Sequence, residues 1–145
     1  MVNANLVAER MGLVVEEHKS SQGGAFSNLV TLTLEGPGGS RVVSGTLFEG
    51  SPRIVRLRDF AMDFLPEPHM LLLSYTDRPG MIGRIGTVLG QRDINIACMN
   101  LGRREKKGEA MVILSVDSPV PAPVVAELQQ ATEATFIQAL HLPSA

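Results

Sequence analysis

The chain has 145 residues, 44% of them hydrophobic and 19% charged, with a formal net charge of −2. That balance gives no reason to expect nucleic acid or an anionic membrane as partner, and no apolar stretch reaches the ~18 residues of a spanning helix. The single cysteine, Cys98, excludes an internal disulfide framework and fits a reducing, cytoplasmic setting.

With no Trp and one Tyr, the chain lacks stacking platforms for single-stranded nucleic acid. Met1 to Asn5 has neither the basic region nor the apolar core of a signal peptide. From there, a short helix is predicted over Ala4 to Met11, with an Asn cap and an end at Gly12. Leu13 to Lys19 reads as a strand, followed by a polar loop from Ser20 to Gly24. Val30, Leu32 and Leu34 alternate with Thr31 and Thr33, the pattern of a half-buried strand. Gly36-Pro37-Gly38-Gly39 is a turn, so Arg41 to Phe48 should return as a hairpin. Arg53 to Leu57 and Phe60 to Leu65 give two further strands. One short helix does not cover such a sheet, so this first part, residues 1–66, reads as an incomplete domain.

After Pro66-Glu67-Pro68 the order is strand, helix, strand, strand, helix, strand. The strands are Met70 to Tyr75, Ile94 to Leu101, Ala110 to Val116 and Thr135 to Leu142. The first helix, Pro79 to Gly90, places Met81, Ile82, Ile85, Val88 and Leu89 on one face. The second, Pro119 to Ala131, turns Val124, Val125 and Leu128 inward. Residues 69–145 thus read as a ferredoxin-like βαββαβ unit, and the chain as α+β. The helix-free face of its sheet is expected to stay open and partly apolar, inviting a homodimer.

Catalytic chemistry finds no footing. Gly80, Gly83 and Gly86 lack the adjacent G-x-G of a dinucleotide loop, and Gly83 and Gly86 are assigned to close helix–sheet packing. His18, His69 and His141 have no metal-ligand spacing, and Cys98, without a nearby partner, reads as a small buried strand residue. Glu16 and Glu17 face opposite sides of an extended segment, and no Ser-His-Asp set is defensible. No catalytic residue and no metal ligand is therefore assigned. Arg103, Arg104, Lys106 and Lys107 read as a solvated hairpin tip. Arg53, Arg56 and Arg58 suit either an anion site or an exposed strand face.

Asp77 and Asn95 carry the sharper hypothesis. Pro79 suits the first helical position, and Asp77 can cap the free amides of the first turn. The same loop could instead hold a zwitterion, with helix amides on the carboxylate and Asp77 on the ammonium. Without a ligand, Asp77 is only a cap and Asn95 only a turn residue.

At these residues the sequence resembles a known family. Tyr75-Thr76-Asp77-Arg78-Pro79-Gly80 with Ile94-Asn95-Ile96 is similar to an ACT domain, a small-molecule sensor of amino-acid biosynthetic enzymes. Upstream, Glu16-Glu17-His18-Lys19-Ser20, Val43-Ser44-Gly45-Thr46-Leu47-Phe48 and Pro52-Arg53-Ile54-Val55 resemble the end of the intervening, allosteric substrate-binding domain of long-form D-3-phosphoglycerate dehydrogenases. The resemblance implies a regulatory piece of an NAD-dependent enzyme of L-serine biosynthesis, carrying no cofactor and no dehydrogenase activity itself. It further implies an excised or truncated C-terminal segment that has lost its catalytic partner domains. L-Serine would bind between two ACT domains, on Tyr75, Asp77 and the Gly80, Met81 and Ile82 amides, with Asn95 reaching over from the second copy. The family's anion site would include Arg53, but other basic positions are replaced by Leu65 and Ser115. Two alternatives remain: a purely structural dimerisation module, or the regulatory part of an L-serine dehydratase.

Overall fold

The structure, a computed structural model, describes residues 4–20, 26, 28–105 and 108–143. The Asn cap expected before the first helix, most of the 20–24 loop, and Lys106 and Lys107 lie outside them. The chain begins with α1 (Ala4–Arg10). Gly12 closes it at φ 71, where only glycine is free of a Cβ penalty.

Residues 13–20 form no strand, and their side chains are exposed. The sequence predicts a strand over Leu13 to Lys19. A strand needs a neighbouring strand to bond its backbone, and none of the described strands pairs with Leu13 to Lys19. Its charges pair locally instead, Glu16 with His18 and Glu17 with Lys19.

Two four-stranded sheets follow. The first runs β1 (Val30–Gly36), β2 (Gly39–Phe48), β3 (Ser51–Leu57) and β4 (Phe60–Phe64), each antiparallel to the next. Gly36 pairs with Gly39 across the expected turn. Among the described residues β1 is exposed along its whole length, not half-buried, because it is an edge strand that no described element covers. The second sheet contains β5 (His69–Thr76), β6 (Ile96–Arg103), β7 (Glu109–Val116) and β8 (Phe136–His141), in the order β6-β7-β5-β8, all antiparallel. With α2 (Met81–Gln91) and α3 (Ala122–Thr132) it completes the α+β, ferredoxin-like arrangement.

The central strands β5 and β7 are buried on both faces. Leu71, Leu73, Val112 and Leu114 pack against Ile85, Leu89, Val124 and Leu128 of the helices. On the opposite face, Met70, Leu72, Met111 and Ile113 meet Phe60 and Phe64 of β4. The helix-free face is therefore not open: the first sheet covers it. The continuous apolar runs of β5 and β7 carry the signal, since a strand solvated on one face alternates.

Three expected contacts differ. Ile82 lies on the outer side of α2 and is 40% exposed, while Met81, Ile85, Val88 and Leu89 are buried. A Cβ at Gly83 or Gly86 would meet nothing within 4 Å, so neither glycine brings α2 close to the sheet. Cys98 is exposed, because β6 is an edge strand whose register shifts between Ile96 and Cys98.

The close approach is at Gly102, where a Cβ would stand 3.2 Å from Phe60 Cδ1. Gly102→Val should therefore cost about 1–3 kcal/mol by overpacking the seam between the sheets. Urea denaturation monitored by circular dichroism checks this, with the open-sided Gly83→Ala as the control that should show no such loss.

Candidate functional site

The loop from β5 into α2 is set by two contacts to the β6–β7 hairpin. The Asp77 amide donates to the Gly108 carbonyl at 2.8 Å. Arg103 Nη1 donates to Asp77 Oδ2 at 3.1 Å. The expected Asp77 cap does not form, since no side chain hydrogen-bonds the start of α2. The Asp77 carboxylate is engaged by the Arg103 guanidinium at the end of β6 instead. The cap position belongs to Gly80 at φ 88, and Pro79 stands before the helix instead of opening it. The first amides of α2, at Met81 and Ile82, thus have no side-chain acceptor, and they carry the positive end of the helix dipole.

Tyr75 leads into this loop and is 1% exposed. Its hydroxyl has no hydrogen-bond partner among the described residues, a condition that costs ~1–3 kcal/mol for a buried group. Burial, and then the negative charge of Asp77, push the phenol up to about 12. On the outer flank, Arg78 Nη2 lies 2.5 Å from Glu133, and that hydrogen bond holds the carboxyl below its usual range. The pair joins the loop to the end of α3.

Asn95 lies beyond the other end of α2. Its amide donates to Asp117 Oδ2 at 2.8 Å, and the Asp117 backbone N–H returns to the Asn95 carbonyl at 3.2 Å. Eleven helical residues span ~16 Å. Asp77 and Asn95 of one chain therefore stand too far apart to hold one small molecule between them. The structure groups Tyr75, Asp77, Gly80, Met81 and Ile82, and leaves Asn95 apart. Arg103 and Asp117 were not anticipated in the sequence. Strand order would have indicated Arg103, since it places the end of β6 across β7 from the end of β5.

The basic residues of β3 have separate engagements. Arg53 Nε donates to Asp63 at 2.7 Å, which raises the guanidinium above its ordinary value. Arg56 Nε donates to the Arg58 carbonyl at 3.1 Å. The Arg58 guanidinium stacks 4.7 Å above the Phe136 ring. His69 and His141, distant in sequence, are neighbours on β5 and β8 with Nδ1 atoms 3.2 Å apart. No group of three or more metal-ligating side chains occurs among the described residues. No helix among them is long and apolar enough to cross a membrane.

Comparison with known proteins assigns both parts of the chain. Residues 69–133 match the ACT domain family. Residues 1–58 match the D-3-phosphoglycerate dehydrogenase intervening domain. The D-3-phosphoglycerate dehydrogenase of Bacillus subtilis is 35% identical over 143 residues, covering 98% of this chain and 27% of the relative. The Methanocaldococcus jannaschii enzyme of that name is 29% identical over 142 residues, covering 98% and 27%. That of Archaeoglobus fulgidus is 33% identical over 144 residues, covering 95% and 27%. The chain thus spans about 27% of the length of these relatives. By residues 1–58 and 69–133 respectively, it belongs to the D-3-phosphoglycerate dehydrogenase intervening-domain family and to the ACT-domain family.

Proposed function

We propose that this chain is an amino-acid-sensing regulatory module of an NAD-dependent D-3-phosphoglycerate dehydrogenase, dividing at residues 1–66 and 69–145. In this reading two copies pair through their ACT domains, bind L-serine between them and transmit end-product inhibition to catalytic and NAD-binding domains outside this sequence. The work is cytoplasmic, as metabolic regulation in a reducing compartment and the exposed thiol of Cys98 suggest.

The observation that carries the reading is the uncapped start of α2 beside the Asp77 carboxylate. Amides and a helix dipole favour a carboxylate, and a carboxylate one turn away favours an ammonium. An α-amino acid presents both groups on one carbon. The buried Tyr75 hydroxyl beside Asp77 can supply a further hydrogen bond, which fits a site incomplete without its ligand.

Asn95 can join the same ligand only from another copy. With two α2 helices side by side and antiparallel, Asn95 of one chain reaches the Asp77 end of the other. The outer side of α2, with Ile82 exposed and open space at Gly83 and Gly86, accommodates such a neighbour. The second reading, a structural dimerisation module without ligand, takes support from Arg103, which already neutralises Asp77. That ion pair is half exposed, however, and such pairs contribute at most ~1 kcal/mol. An ammonium at the free side of Asp77 can share the carboxylate with it.

Calorimetric titration with L-serine, using D-serine and glycine as controls, separates the two readings. The sensor account expects stereospecific binding near one ligand per chain, and a loss of at least about tenfold in affinity in Asp77→Ala, since a charged hydrogen bond contributes ~1.5–3 kcal/mol. A folded dimer that gives no heat with L-serine would contradict the serine sensor and leave another effector or the structural module.

Tyr75 is the only tyrosine and there is no Trp, so ultraviolet titration of the phenol reads this site alone. The folded chain should titrate near 12, and the urea-unfolded chain near the ordinary value of 10.0. Between these two values the unfolded chain has released a proton that the folded chain retains. Stability should therefore fall as pH rises through that window, which denaturant midpoints will register.

A further inference from the structure

Two histidines that stand 72 residues apart in sequence meet at one end of the second sheet. His69 opens β5, His141 closes β8, and the two are register partners. Beside them the Leu142 amide donates to the Pro68 carbonyl at 2.9 Å. Bonded and non-bonded pairs alternate along an antiparallel ladder, so His69 and His141 form a non-hydrogen-bonded pair, the kind that brings side chains closest. Alternation puts His69 on the face of Leu71 and His141 on the face of Ala139, the side that packs on the helices. His141 is nonetheless exposed and His69 only half-buried, so solvent reaches the pair.

The rings lie within 22° of parallel, with centroids 5.0 Å apart and Nδ1 atoms 3.2 Å apart. The two nitrogens are thus nearer to each other than the ring centres are, and each ring turns its Nδ1 edge toward the other. Between neutral rings, one Nδ1 carries a hydrogen and the other accepts it. The same spacing suits a metal ion. Histidine nitrogens stand ~2.0–2.1 Å from zinc, which places two of them ~3.3 Å apart at a tetrahedral angle. The side chains already hold that separation. Aiming both lone pairs at one ion calls for rotation of the rings and no movement of the strands.

We propose that His69 and His141 clasp one divalent transition-metal ion through their Nδ1 atoms, with water completing the coordination. Imidazole suits zinc, copper and nickel, whereas magnesium and calcium take oxygen ligands, and the nitrogen spacing matches tetrahedral zinc. No group of three or more ligating side chains occurs among the described residues, so this is an open two-ligand clip and not a closed structural centre. The ion replaces the shared hydrogen, and each ring keeps its proton on Nε2. His69 directly follows Pro66-Glu67-Pro68, the connection between the sheets, and Leu142 next to His141 packs on the Phe60 and Phe64 cluster. A bound ion therefore ties the last strand to that connection. The length of β5, ~25 Å, separates the clip from the Asp77 loop, so the proposal does not rest on the amino-acid reading.

The test is calorimetric titration of the full, untagged 145-residue chain with zinc chloride at pH 7.5, and with magnesium chloride as control. The parent for this series carries Cys98→Ser, which removes the exposed thiol. Zinc should saturate at one ion per chain, and magnesium should not bind. His69→Gln and His141→Gln should each weaken zinc binding at least tenfold, since losing even a group that orients a ligand costs ~10–100-fold. His18→Gln should bind as the parent does. Nitrogen-15 NMR should show zinc shifting the Nδ1 resonances of both His69 and His141. Zinc should also raise the urea midpoint of the parent and leave that of His141→Gln unmoved. At an exposed strand end, His141→Gln should keep the circular dichroism of the parent. No saturable zinc binding would overturn the proposal. So would binding that survives His141→Gln, or binding that His18→Gln abolishes.

Discussion

The arrangement depends on burying both faces of β5 and β7. Helices α2 and α3 cover one face, and Phe60 and Phe64 of β4 press on the other. Burying two phenyl side chains supplies several kcal/mol on its own, since each is worth ~1.5–3 kcal/mol relative to exposure. The contact also fixes where the ends of the two sheets meet. Gly102 lets β6 come against Phe60, and Arg104 just beyond it closes over the same ring and pairs with Asp59. The first sheet, which lacks a helical cover of its own along β1 to β4, obtains its core from the second.

The end of β6 then serves two directions. Arg103 reaches Asp77 at the start of α2, while Arg104 reaches Asp59 and Phe60 at the seam. Alternation of side chains along an extended segment accounts for the opposite headings. A loop that would otherwise be an ordinary capped helix entry is held open, because its carboxylate is held by a guanidinium from another strand. The start of α2 is left without a side-chain cap, behind Gly80 in the left-handed region.

Much of this order is written in local patterns. The hairpin at Gly36 to Gly39, the βαββαβ succession and, Ile82 apart, the inner faces of both helices follow from turn chemistry and periodicity. What escaped them is long-range. Leu13 to Lys19 has the composition of a strand but no partner strand among the described residues to make it one. The covering of the helix-free face rests on Phe60 and Phe64, whose partners lie beyond the Pro66-Glu67-Pro68 boundary. Asp77 was well placed to cap by spacing alone, and only the pairing of β6 with β7, and β7 with β5, brings Arg103 near enough to compete. Asn95 and Asp77 fit one ligand by residue type, yet the length of α2 keeps them too far apart within one chain to hold it together.

That separation is the central claim, and mixing two defective chains tests it most directly. Asp77→Ala and Asn95→Ala homodimers should each fail to bind L-serine. After unfolding and refolding together in equal amounts, random exchange should restore about a quarter of the sites, each built from the intact Asp77 of one chain and the intact Asn95 of its neighbour. If the mixture, shown to contain heterodimers, binds no better than either variant alone, the shared site is wrong.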